Sequence, residues 1–73
     1  MTEYQISFFW DEEAAVWIAT SDEIPGLVLE SGSLDALMER VRYAASELLS
    51  LNSPPTGDFV LRFYSERSEL IAC

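Results

Sequence analysis

The side chains best suited to chemistry in this chain are carboxylates, and they gather early: Asp11-Glu12-Glu13, then Asp22-Glu23, then Asp35. Oxygen donors of that kind suit a hard divalent cation, and several converging carboxylates are what a two-metal nuclease needs. The pattern does not predict convergence. Asp11, Glu12 and Glu13 are neighbours on an expected hairpin turn, Asp22 belongs to a loop, and Asp35 opens a helix; none is on an inward strand face. A solvated turn accounts for them. The sequence contains no His and no Lys, which removes the commonest general base, the P-loop lysine and all Schiff-base chemistry. Cys73 is the single cysteine and the final residue, so neither an internal disulfide nor a zinc spacing arises. The expectation is a protein that is not an enzyme, with no catalytic residue, no metal and no cofactor.

Charge narrows the partners. Residues 1–39 hold nine acidic and no basic groups, whereas residues 40–73 hold four acids against Arg40, Arg42, Arg62 and Arg67, so the whole net charge of −9 belongs to the first half. Such a surface repels phosphate and attracts cationic proteins, which argues against direct nucleic-acid binding. Tyr4, Trp10, Trp17 and Tyr64 are of the type that stacks on bases, but stacking normally accompanies a basic groove. Arg40 and Arg42 do not supply one, because they point about 200° apart on a helix. No basic leader followed by an apolar run is present at the N-terminus, and no membrane span is expected; with one terminal thiol, a cytoplasmic location fits.

The elements that must carry these groups follow from periodicity. Tyr4, Ile6, Phe8 and Trp10 alternate with Gln5, Ser7 and Phe9, which predicts a first strand. After the polar turn, Ala15 to Thr20 predicts a second strand paired to it as a hairpin. Pro25-Gly26 suits the centre of a type II turn, because proline presets φ near −65° and glycine tolerates positive φ. Leu27 to Ser31 predicts a third short strand. Ser33 is placed to cap a helix, with Asp35 favoured at the positive end of its dipole. Leu34, Leu37, Met38, Val41, Ala44, Ala45 and Leu48 then fall on one helical stripe. Asn52 to Asp58 contains every kind of helix breaker, and Phe59 to Tyr64 resumes the alternation as a fourth strand. Residues 65–73 are compatible with a short strand, a partner-binding tail or a frayed end.

The predicted architecture is one α+β domain over residues 1–73, ordered β-β-β-α-β: a small antiparallel sheet with one helix packed on one face. A domain of this length buries only about 60% of the surface its unfolded chain exposes, and 49% of its residues are apolar. Phe9 is expected on the face opposite Phe8 and Trp10, and Trp17 on the face opposite Val16 and Ile18. Both would then lie on the uncovered side of the sheet, so Phe9 and Trp17 are the expected contacts of a homodimer.

The stretch from Trp17 to Leu49 also carries a family pattern. Val16-Trp17-Ile18-Ala19, then Asp22 to Leu27 with its Ile-Pro-Gly-Leu, then Glu30 to Leu37 with Ser-Gly-Ser, resembles the N-terminal domain of HicB-type antitoxins. Phe9-Trp10-Asp11 and Trp17-Ile18-Ala19-Thr20-Ser21 resemble more closely the short stand-alone HicB-like proteins. The resemblance spans residue 4 to about 64. It implies a partial ribonuclease-H-like fold, and binding and neutralisation of a small basic HicA-type toxin that cleaves mRNA. Asp22, Glu23, Pro25 and Gly26 are the residues expected at that interface. Full-length HicB antitoxins add a C-terminal DNA-binding segment, and no match to one is found in these residues, so direct DNA binding is not expected. Two other readings stay open: a vestigial or metal-dependent ribonuclease-H-like nuclease, and a purely structural dimer or small-ligand-binding domain.

Overall fold

A computed structural model describes all residues 1–73. The chain forms β1 (Thr2–Asp11), β2 (Val16–Thr20), β3 (Val28–Ser31), α1 (Leu34–Asn52) and β4 (Phe59–Glu66). They build one four-stranded sheet in the order β3-β2-β1-β4 with the helix against one face. The expected element order and the one-sided helix are both present. One feature of the sheet differs: β1 pairs antiparallel with β2, and β2 with β3, but β4 runs parallel to β1, so the sheet is mixed rather than wholly antiparallel. The helix is the reason. It carries the chain back to the start of β1, so Phe59 enters the sheet beside Thr2 and runs in the same direction, a crossover that parallel pairing requires.

The local signals act as their chemistry dictates. The hydroxyl of Ser33 accepts the Ala36 N–H at 3.2 Å and caps α1. At the far end the Asn52 side chain donates to the Leu48 carbonyl at 3.0 Å and the Ser53 N–H donates to Leu49 at 2.9 Å, after which Pro54-Pro55 cannot continue the helix. Leu37, Val41, Ala45 and Leu49, spaced four apart, form the buried row of the helix. They meet Ile6, Phe8 and Ala19 from the sheet, and Ile24 and Leu27 from the loop before β3. Nine buried residues among 73 make a thin core, as the chain length foretold.

Strand registers decide which side chains share a face. Phe8 lies opposite Ala19 and Trp10 opposite Trp17, with the two indole rings 5.6 Å apart, so Trp17 packs on the helix side. The expected pairing of Trp17 with Phe9 on the uncovered face is therefore corrected; Ile18 takes that place, directly opposite Phe9. The cause is the phase of the hairpin. Val16, Trp17 and Ile18 are all apolar, so alternation alone does not fix their sides. Phase is set by the turn, where the Asp11 carboxylate accepts the Ala14 N–H at 3.2 Å and Ala15 adopts φ 54°.

Candidate functional site

The loop Ser21 to Leu27 is built around two buried anchors, Ile24 and Leu27, which sink into the core and leave the residues between them outside. Leu27 N–H donates to the Ile24 carbonyl at 3.2 Å across Pro25-Gly26, and Gly26 has φ +87°, so this is the type II turn that the dipeptide predicts. Any other residue at Gly26 would be strained by that φ, even though an added Cβ would only come into ordinary contact with Leu48.

The same loop closes a gap in the sheet. Pairing of β1 with β2 ends at Ser7–Thr20, so the backbone of Gln5 has lost its partner strand on that side. Two side chains replace it: a Glu23 carboxylate oxygen accepts the Gln5 N–H at 2.6 Å, and the Ser21 hydroxyl donates to the Gln5 carbonyl at 2.7 Å. Ser21 also accepts the N–H of Glu23 at 3.2 Å, which locks the two together. This arrangement blunts an otherwise open stretch of strand, a standard requirement of sheet proteins. Of the four residues expected at a partner interface, Asp22, Pro25 and Gly26 are exposed as a short ridge, while Glu23 already has a structural task. Sequence reading missed that task, because a carboxylate eighteen residues downstream of the amide it accepts leaves no local signature.

Phe9 stands on the open face, 44% exposed, with Ile18 and Tyr64 as neighbours in the sheet. Val28 and Tyr64 on that face are 68% and 50% exposed, which gives the uncovered side a broken apolar strip. Glu12 and Glu13 are exposed on the hairpin turn, and nowhere do three or more His, Cys, Asp or Glu side chains come together in a way that would hold a metal ion.

Electrostatics divides the molecule further. Arg62 of β4 makes a bidentate contact with Glu3 of β1, at 2.9 and 2.8 Å. The hydrogen bond from Arg62 holds the Glu3 carboxyl below its ordinary pKa, and the same contact raises that of Arg62. Arg42 pairs with Glu39 at 2.6 Å, and Arg67 pairs with Glu69 at 3.2 Å while its guanidinium lies 4.0 Å above the Trp10 ring. Arg40 donates to the Glu30 carbonyl at 2.9 Å. Every arginine is thus engaged within the chain. Of the nine acids in residues 1–39 only Glu3 and Glu39 enter an ion pair, which leaves seven without one.

With this geometry in view, the chain can be placed. It belongs to the family described as "Domain of unknown function (DUF1902)", whose model matches residues 3–72. Its fold is similar to the crystal structure of hypothetical protein TTHA1013 from the extremely thermophilic bacterium Thermus thermophilus, with 31% sequence identity and a TM-score of 0.81 over 94% of this chain and 99% of that one. No curated protein matches it at a significant level. No helix of the structure is long and apolar enough to cross a membrane.

Proposed function

We propose that this chain is a non-enzymatic interaction module of the HicB-like kind, a cytoplasmic homodimer that binds and neutralises a small basic HicA-type toxin through its acidic half. The observation that carries the reading is the state of the charges: all four arginines are engaged internally, while seven carboxylates of the first 39 residues form no ion pair, Asp11 and Glu23 among them accepting only backbone N–H groups. A surface of that sign steers cationic partners and disfavours RNA. The exposed ridge of Asp22, Pro25 and Gly26 supports it, since a rigid turn held by two buried anchors presents its groups with little ordering cost on binding.

Co-expression with the product of the adjacent gene, followed by affinity capture and titration calorimetry, tests the proposal. Capture of a short basic protein, with affinity falling steeply as salt is raised and by about tenfold in Asp22→Lys, is the expected result. Recovery of no basic partner, or affinity indifferent to both salt and Asp22, sinks it.

A further inference from the structure

β4 is an edge strand whose outer side meets nothing. Its eight residues span about 26 Å at ~3.3 Å per residue, and no side chain caps it as Ser21 and Glu23 cap Gln5. On its helix side Phe59, Leu61 and Phe63 are only half-buried. Beyond it, residues 67–73 run on without regular structure, and Leu70 and Ile71 are 97% and 77% exposed. The molecule is drawn out to 52 × 20 × 18 Å, with a radius of gyration of 13.8 Å where a compact chain of this length has about 11 Å.

The pattern on the open face of β4 indicates what covers this edge. Val60, Arg62, Tyr64 and Glu66 alternate there, in register with Glu3, Gln5, Ser7 and Phe9 of β1. Arg62 and Glu66 lie two residues to either side of Tyr64. An antiparallel two-fold pairing centred on Tyr64 therefore places Arg62 of each copy opposite Glu66 of the other. Arg62 uses Nε and Nη2 on Glu3, which leaves Nη1 for a second carboxylate. The same register continues the segment after β4 along Phe59 to Leu61 of the facing copy.

We infer that this chain dimerises edge to edge through β4, about a two-fold axis at Tyr64, with reciprocal Arg62–Glu66 pairs joining two sheets into one of eight strands. The inference deepens the homodimer part of the proposed function and moves the seam from the open face to the sheet edge. It does not depend on the basic partner.

Sedimentation equilibrium of the chain alone over a concentration series tests it. The native chain is expected to dimerise. Glu66→Arg sets arginine against arginine and Arg62→Glu sets glutamate against glutamate, so each alone weakens the dimer by about tenfold or more. An equal mixture of the two variants restores every pair in a heterodimer and recovers most of the lost affinity. Glu3→Gln, which breaks the intrachain contact but not the seam, leaves the dimer in place. Circular dichroism verifies that each variant folds, and Glu66→Gln, expected to lie between native and Glu66→Arg, replaces any that does not. A native chain that stays monomeric, a dimer indifferent to Glu66→Arg, or two weakened variants that fail to rescue one another overturns the inference.

Discussion

At one edge of the sheet β3 offers four residues, with Arg40 reaching from the helix to the Glu30 carbonyl; at the other, β4 offers eight residues with nothing against them. The gap beside Gln5 is a third case, a stretch of interior strand left without a partner and closed by two side chains. Shortening, covering and capping are recognised ways of keeping strand edges from pairing, and β4 uses none of them. An edge left open on a chain that elsewhere closes even a single backbone pair is what the inferred β4 pairing rests on.

Substitutions in the closed loop and on the open edge separate the two. The largest effect is expected in the closed part: Ile24→Ala removes a fully buried side chain and should cost about 2–5 kcal/mol in urea unfolding. Leu61→Ala on half-buried β4 should cost about half as much when measured at concentrations where the chain is monomeric. Equal costs would show that β4 is as well packed as the rest and would remove the asymmetry. Next, Glu23→Ala deprives the Gln5 N–H of its acceptor and should cost about 1 kcal/mol, with faster hydrogen exchange at that amide and no change along β4. If Gln5 exchange is unaltered, the cap is not closing the strand.

Ala15→Gly should act in the opposite direction. Ala15 holds φ 54°, where a Cβ is disfavoured, and relief of that strain outweighs the added freedom of the unfolded chain by about 0.5–1 kcal/mol. A thermal midpoint that does not rise would mean the turn bears no strain. The smallest effect is expected from Glu3. Its pKa is lowered in the folded protein, chiefly by the hydrogen bond from Arg62, so its contribution is complete above the ordinary glutamate value of 4.5 and is lost as pH falls through the lower folded value. Stability of Glu3→Gln relative to the native chain should thus converge at acid pH and diverge above it. Parallel curves at all pH values would show that the exposed pair contributes nothing.

Most of the framework was legible because its signals are local. Ser33 caps the helix it precedes, Pro25-Gly26 forms the turn its dihedral preferences suit, and the stripe from Leu34 to Leu48 supplies three of the helix's four buried residues, Leu37, Val41 and Ala45. The candidate site was legible only in part. Asp22, Pro25 and Gly26 are exposed, but the role of Glu23 depends on an amide eighteen residues away, and the face of Trp17 is not legible because Val16, Trp17 and Ile18, all apolar, carry no phase.

What the sequence determined alone is therefore the order and kind of the elements, the caps and turns that delimit them, and an acidic first half poor in catalytic residue types. These depend on dihedral preference, periodicity and residue identity, none of which needs a distant partner. The parallel pairing of β4 with β1, the face Trp17 takes, the internal engagement of all four arginines and the one long open edge arise only when distant segments meet in the folded chain. Alternation states which residues share a side of a strand; which strand lies alongside, and in which direction, is settled by where the helix returns the chain.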